Sequence, residues 1–246
     1  TGLPSPNLDP FWVDYVAHEI GHQLNAPHTF NGSAGACAQR SAADAYEVGS
    51  GSTIMAYAGI CGGENLQSNS DPFFHVRSLD TIHTFVQSGG GATCGSISAT
   101  GNQIPVLTPV ANRTIPARTP FALTASATDP DGDPLSYSWE QFDLGTVSNA
   151  TTVNQDDGTR PLFRSFDASS SPTRLFPRLA NILSGSQTIG EVLPTTNRSL
   201  NFRVTVRDNR PGGGGVQWTG TTAPAVAQTT LTVVDTGAAF AVTGLD

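Results

Sequence analysis

The sequence predicts an α+β chain with more than one domain, in which a mainly helical and irregular first part precedes an all-β second part. In the first part, the segment from about residue 10 to 24 has helical spacing and is followed by stretches rich in glycine, alanine and serine. In the second part, segments 115–143, 201–209 and 229–235 alternate apolar and polar residues around turn residues, as β-strands do. The polar segment 95–103 has no hydrophobic pattern, which predicts a linker between the two parts.

Composition and charge limit the functions open to this chain. Only 13% of the 246 residues are charged, and the chain has 26 glycines, 17 prolines and no lysine, which favours a loop-rich extracellular protein. The net charge of −8 argues against nucleic acid or an anionic membrane as a partner. No apolar run approaches the about 20 residues that span a bilayer. We therefore expect a protein that is secreted or displayed at a cell surface.

Two histidines in the first predicted helix have the spacing of metal ligands. His18 and His22 lie four residues apart, in a helix whose start is expected at Asp9 and Pro10. At this spacing the two side chains lie one turn apart on the same face. Neutral imidazoles bind Zn²⁺ at about 2.0–2.1 Å, and a catalytic zinc has three protein ligands with one position open for water. His28 can supply the third ligand.

Bringing His28 to the same metal requires a sharp turn after His22, because only six residues separate the two positions. Such a turn needs a residue that tolerates positive φ, for which asparagine is the best choice after glycine. Asn25 stands at this place, and Pro27 helps to end the helix. Glu19 lies beside a ligand but has another expected role, as the carboxylate that takes a proton from the attacking water and passes it to the leaving amine.

The segment from His18 to His28, followed by STIMAY at residues 52–57, resembles the signature of the metzincin metalloproteases, HExxHxxGxxH and a methionine turn. Asn25 takes the place of the glycine. The surrounding sequences DYVAHEIGHQ and GSGSTIMAYAGICG are similar to those of the secreted bacterial reprolysin-like branch. Thr29 after the third histidine is also similar to the pappalysin branch, so the resemblance leaves the subfamily open.

This resemblance implies a zinc-dependent endopeptidase that acts on proteins or peptides. It makes the three histidines zinc ligands, Glu19 the general base and Met55 the residue beneath the metal. It also relates Tyr57 to a tyrosine that in some metzincins swings toward the zinc or the tetrahedral intermediate; packing in the core is the alternative role. Metzincins carry a sheet and helices upstream of this helix, so we expect the chain to be a fragment of a longer precursor, without the N-terminal half of the catalytic domain.

A rival interpretation is a structural or adhesive surface protein whose metzincin portion, covering residues 1–94, is inactive or incomplete. Intact ligands and the intact Glu19 favour the enzyme, whereas the short segment before the first histidine favours the rival. Autoproteolysis of the precursor near Thr1 is a third possibility. The sequence does not define a cleavage specificity.

The chain has three cysteines, an odd number. Cys37 and Cys61 bracket the segment between the third histidine and the methionine turn, and a secreted setting favours a disulfide between them. Cys94 closes the catalytic part, and its partner is expected outside this chain. The alternative is that all three thiols are reduced and buried.

A second helix is predicted over residues 78–87, and it ends at three consecutive glycines. His75 and His83 lie at and within this segment. Neither has the spacing of a metal ligand, so we expect both to have packing or surface roles.

Residues 104–236 resemble the immunoglobulin-like repeats of secreted bacterial proteins, of the polycystic-kidney-disease and cadherin-like types, with Trp139 in the place of the core tryptophan. The segment 143–198, here called the insertion, exceeds what an ordinary domain of this fold needs, and its apolar content predicts packing against the catalytic part. Four of its arginines are expected to form ion pairs rather than to bind substrate: Arg160, Arg164, Arg174 and Arg178. Residues 237–246 resemble the start of a further truncated module.

An acidic turn in the second part predicts a possible calcium site. Asp129, Asp131 and Asp133 occupy alternating positions around a glycine, and such a density of hard oxygen ligands suits Ca²⁺. Asp208, at the end of a later strand, could complete the ligand set. The alternative is a solvated turn whose aspartates accept hydrogen bonds from backbone amides.

Overall fold

The computed structural model describes residues 10–96, 98–218 and 227–238, and over these ranges the chain has an α+β fold. The helices are a π-helix (Phe11–Ala17), α1 (His18–Gln23), α2 (Val76–Gln87), α3 (Leu179–Ser184) and 3₁₀ turns at Gly35–Gln39 and Gly62–Glu64. The strands are β1 (Val106–Leu107), β2 (Arg113–Pro116), β3 (Phe121–Thr124), β4 (Ala127–Thr128), β5 (Ser136–Gln141), β6 (Thr173–Phe176), β7 (Arg198–Arg207), β8 (Val216–Gln217) and β9 (Gln228–Val234). No helix in these ranges is both long and apolar enough to cross a membrane.

The first helix changes its hydrogen-bonding pattern immediately before His18. A continuous helix was expected, but the stretch before α1 is a π-helix, in which the backbone bonds join residues five apart. Such wider turns are frequent near functional sites, and spacing alone does not distinguish them from α-helix. The expected cap at Asp9 lies outside the described residues.

Helix α2 begins two residues before the predicted start at Ser78. The Nδ1 atom of His75 accepts a hydrogen bond from the backbone N–H of Arg77 at 3.1 Å, so His75 caps the helix. Histidine is not among the preferred capping residues, which is why the sequence pattern missed this start. His75 is buried and His83 packs edge-on against Trp218, which agrees with the packing roles expected for both histidines.

The second part is built on a five-stranded sheet in the order β2-β9-β7-β5, with β8 also paired to β7. The β2–β9 pair is parallel and the other pairs are antiparallel. The two-stranded sheet β3-β6 packs on the large sheet through an apolar core that includes Trp139, Phe176 and Phe202. Trp139 is therefore a core residue, as expected. The immunoglobulin-like identity and the domain boundaries stay predictions.

The insertion contacts the first part of the chain directly, as its apolar content predicted. The Nδ2 atom of Asn31 donates to the carbonyl of Thr146 at 2.9 Å, and the Ser33 hydroxyl donates to the carbonyl of Ser148 at 2.7 Å. The Ser148 hydroxyl in turn donates to Oε1 of the buried Glu64 at 2.8 Å. The loop that follows His28 is thus held by the insertion.

Strand β5 and its flanks add further contacts between the two parts. The ring of Phe142 stacks on Tyr46 with centroids 4.1 Å apart. The buried Glu140 accepts a hydrogen bond from the backbone N–H of Val76 at 2.9 Å, at the start of α2. The start of α2 and the segment around Tyr46 are therefore joined to the second part.

The expected ion pairs form at two of the four arginines. Arg160 pairs with Asp157, and Arg174 pairs with Glu191 at 2.7 Å. Within the described ranges no ion pair forms at the other two: Arg164 donates to the carbonyl of Leu66 and to the side chain of Gln67, and the guanidinium of Arg178 lies over the ring of Phe166. These partners come from distant segments or from a flat aromatic face, which sequence spacing does not indicate.

We predict that replacing Ser148 by alanine lowers the free energy of unfolding by about 1–3 kcal/mol, because Glu64 Oε1 then stays buried without its donor. Urea unfolding followed by circular dichroism measures this change. Ser170 lies exposed on the same insertion, and its replacement by alanine should change stability by less than about 0.5 kcal/mol. Equal effects of the two substitutions would contradict the contact.

Candidate metal centre

The three histidines predicted as ligands lie together in the structure. The Nε2 atom of His28 is 3.3 Å from Nε2 of His18 and 3.1 Å from Nε2 of His22. His18 is 5% exposed, whereas the other two rings are partly open to solvent. The turn after the helix therefore brings the third imidazole to the first two.

The orientation of the rings fits a metal ion. His18 Nδ1 lies 2.7 Å from the carbonyl oxygen of Ile54, and His22 Nδ1 lies 2.9 Å from that of Ala26. A carbonyl only accepts hydrogen bonds, so each Nδ1 carries the proton and each Nε2 presents a lone pair. Three nitrogens bound tetrahedrally to one zinc at about 2.0–2.1 Å lie about 3.3–3.4 Å apart, close to the observed separations. The residues present therefore fit a zinc ion.

The surroundings also favour the neutral forms of His18 and His28. Burial lowers the pKa of His18 below its ordinary value. Burial, together with the nearby His18 and His22, lowers the pKa of His28 to about 4. Since metal binding requires the unprotonated ring nitrogen, both shifts favour the binding form near neutral pH.

Asn25 provides the turn that was predicted for it. Its φ is 69°, in the left-handed region. Its backbone N–H donates to the carbonyl of His22 at 2.9 Å, and that of Ala26 donates to the carbonyl of Gly21 at 2.9 Å. These two bonds form a Schellman motif, which ends helix α1 and reverses the chain toward His28.

Met55 packs directly beneath the histidine helix. It is fully buried in a cluster with Val13, Ala26 and Ile54. A Cβ atom at Gly21 would overlap the Sδ atom of the buried Met55, so glycine allows the close approach there. The expected position of Met55 below the metal ligands is consistent with this packing.

Glu19 and Tyr57 line the same cleft as His18. This cleft has a volume of about 280 Å³. Glu19 is solvent-exposed and Tyr57 is half-buried, with its ring centroid 4.4 Å from that of His28. Burial and the charge of Glu19 raise the pKa of Tyr57, which keeps its hydroxyl protonated. Tyr57 also packs against the cluster around Phe30, so the packing role and the position in the cleft occur together.

Cys37 and Cys61 form a disulfide, as predicted, and Cys94 is an exposed free thiol. The disulfide lies in one apolar cluster with Phe30, whose ring stacks on Tyr57 at 4.7 Å. It therefore supports the aromatic side of the cleft.

Sequence reasoning did not identify Glu47, which is 2% exposed and lies behind the site. It accepts hydrogen bonds from Thr29, next to His28, and from the backbone of Ser52 and Thr53. A glutamate in a glycine-rich loop gives no local signal of such contacts. The one sequence signal is its position, because the methionine turn follows Glu47 within nine residues.

The predicted calcium ligands are brought together only in part. Asp129, Asp131 and Asp133 offer oxygen atoms within 4.8 Å of one another. Asp208 does not join this group; its carboxylate accepts hydrogen bonds from the backbone N–H groups of Gly215 and Arg210 and from Asn102. The guanidinium of Arg210 also lies 3.5 Å from Asp131 and supplies positive charge to the cluster. Calcium binding is therefore not supported, and the role of Asp208 as a fourth ligand stays a prediction.

Comparison with known proteins agrees with the first part of the chain. A family model described as metallo-peptidase family M12B, reprolysin-like, matches residues 3–84 of the 246. No match to a curated protein was found. The matched segment contains the three histidines, Glu19, Met55 and Tyr57, so this part of the chain is similar to zinc metallopeptidases of that family. The likeness supports a peptidase; it does not extend to the second part.

We predict that replacing Gly21 by alanine destabilises the protein, because the added methyl group would overlap Met55 Sδ. In an open helix the same change would stabilise by up to about 1 kcal/mol, whereas overpacking costs about 1–3 kcal/mol. The sign of the change in thermal midpoint therefore distinguishes the two cases. Replacing the neighbouring exposed Ile20 by alanine is the control and should have little effect.

Proposed function

We propose that this chain carries the metal centre of a secreted zinc-dependent endopeptidase of the metzincin type. The observation that carries the proposal is the convergence of three Nε2 atoms, with that of His28 3.3 Å from His18 and 3.1 Å from His22, beside a cleft that Glu19 lines. The match to reprolysin-like metallopeptidases supports the same activity.

Zinc bound to the three imidazoles would polarise the scissile carbonyl and lower the pKa of a water molecule to about 7. Glu19 accepts the proton of the attacking water, since it is next to the ligand His18 and is not itself needed as a ligand. It then returns the proton to the leaving nitrogen. The Tyr57 hydroxyl, kept protonated by burial, donates a hydrogen bond to the developing oxyanion.

Two further features support the assignment. The cleft is open at one side, with exposed Glu19 and Ile60 at its edge, which suits an extended peptide better than an enclosed small molecule. The Cys37–Cys61 disulfide favours an oxidising compartment, and hence secretion. Proteins or peptides are therefore the proposed substrates.

We predict that replacing Glu19 by glutamine abolishes peptide hydrolysis, by more than about 100-fold in kcat/KM, while zinc stays bound, because the carboxylate serves as base and not as ligand. A general protein-cleavage assay with and without a zinc chelator, alongside elemental analysis, measures both properties. Retained cleavage by the variant would exclude the role given to Glu19. Zinc without cleavage in the unaltered chain would favour the structural or adhesive alternative.

We predict that replacing His28 by alanine has the complementary effect on metal binding. Zinc affinity should fall by more than the about 10–100-fold loss that follows removal of an outer partner of a ligand. Competition with a chromogenic chelator measures the affinity. The matched control is the replacement of His83 by alanine, because this histidine lies on α2, outside the cluster of three. Equal affinities of the two variants would contradict the ligand set.

A further inference from the structure

Glu47 is a buried carboxylate whose two oxygens have different partners. Oε1 accepts hydrogen bonds from the hydroxyl groups of Thr29, at 2.6 Å, and of Thr53. Oε2 accepts hydrogen bonds from the backbone N–H groups of Ser52, at 2.8 Å, and of Thr53, at 3.2 Å. One side chain therefore joins two segments that are far apart in the sequence.

Both segments determine where the metal ligands lie. Thr29 directly follows His28, and its N–H also donates to the carbonyl of Met55 at 3.2 Å. Thr53 directly precedes Ile54, whose carbonyl fixes the ring of His18. A displacement of either segment would move one imidazole relative to the others.

The carboxylate is satisfied without an ion pair within the described ranges. Its partners are two hydroxyl groups and two amide hydrogens, which together occupy both oxygens. Burying a carboxylate costs free energy unless hydrogen bonds compensate for the lost hydration, and a buried charge contributes little stability by itself. Its contribution here is therefore geometric.

We propose that Glu47 is a positioning residue that sets the distance between His28 and the segment carrying Ile54 and Met55, and that it acts through its hydrogen bonds rather than through its charge. The inference rests on the proposed function, because it assumes that the three histidines bind zinc. It concerns affinity and ligand geometry, which are measurable without substrate.

The test compares Glu47→Ala with Glu47→Gln. Alanine removes all four hydrogen bonds, so zinc affinity should fall by about 10–100-fold, as for other outer partners of a ligand. Glutamine keeps the shape: its oxygen can accept the two backbone N–H groups while its amide donates to the two hydroxyl oxygens, so affinity should stay within about 3-fold. The readouts are chelator competition and the visible absorption spectrum of the cobalt(II)-substituted protein, which reports ligand geometry.

Controls separate positioning from general loss of stability. Asp143→Ala also removes a buried carboxylate, but Asp143 accepts hydrogen bonds from Gln141 and Asn201, both of which lie in the second part of the chain. It should lower the thermal midpoint without changing the cobalt spectrum. Thr29→Val removes a single donor to Glu47 and keeps the side-chain shape, so it tests the same link if Glu47→Ala fails to fold. It should weaken zinc binding in the same direction.

The outcomes are distinct. An unaltered chain that binds no zinc would overturn the proposed function and, with it, this inference. Zinc binding by the unaltered chain, together with Glu47→Ala and Thr29→Val proteins of unchanged affinity and cobalt spectrum, would overturn the inference alone. A Glu47→Gln protein as impaired as Glu47→Ala would assign the effect to charge and also overturn it. Loss in the alanine and valine variants, with retention in the glutamine variant, would support it.

Discussion

The Nε2 atoms of three imidazole rings lie close together in this chain, and much of the surrounding structure serves to hold the rings in place. Backbone carbonyls fix the rings of His18 and His22, and the left-handed residue Asn25 returns the chain to bring in His28. These backbone contacts hold the Nε2 atom of His28 at 3.3 Å from that of His18 and at 3.1 Å from that of His22. A metal ion bound to these three rings would add its binding free energy to the free energy of folding.

The second part of the chain takes part in holding the site. The loop after His28 is fixed by Glu64, which accepts hydrogen bonds from the backbone N–H groups of Ser33 and Ala34 and from the Ser148 hydroxyl of the insertion. A segment that sequence patterns assign to a separate domain thus limits the freedom of the third ligand. The family match covers the three histidines and Glu19. Ser148, which helps to hold the loop after His28, lies beyond the matched residues.

What could be predicted from the sequence is what depends on local spacing. The helical pair of histidines, the positive φ at Asn25, the Cys37–Cys61 pair and the core position of Trp139 each follow from a pattern of a few residues or from a simple pairing argument. The π-helix and the roles of Glu47 and Arg164 could not be predicted, because they depend on partners brought together by the tertiary fold. The same limit applies to Asp208. The sequence places this residue at the end of a strand, but the groups that donate hydrogen bonds to its carboxylate come from loops without a sequence pattern.

The buried carboxylates outside the histidine cluster have hydrogen-bond donors or ion-pair partners. Glu47 and Glu64 are each satisfied by hydroxyl and amide hydrogens, and Asp156 is paired with Arg198 at 2.7 Å. Each of these three carboxylates therefore has donors, although only 13% of the residues in the chain are charged. At the histidines, the Nδ1 N–H groups of His18 and His22 donate to backbone carbonyls, and the Nε2 atoms of both rings face His28. These two hydrogen bonds fix the tautomer of both rings and leave their Nε2 lone pairs available to a metal ion.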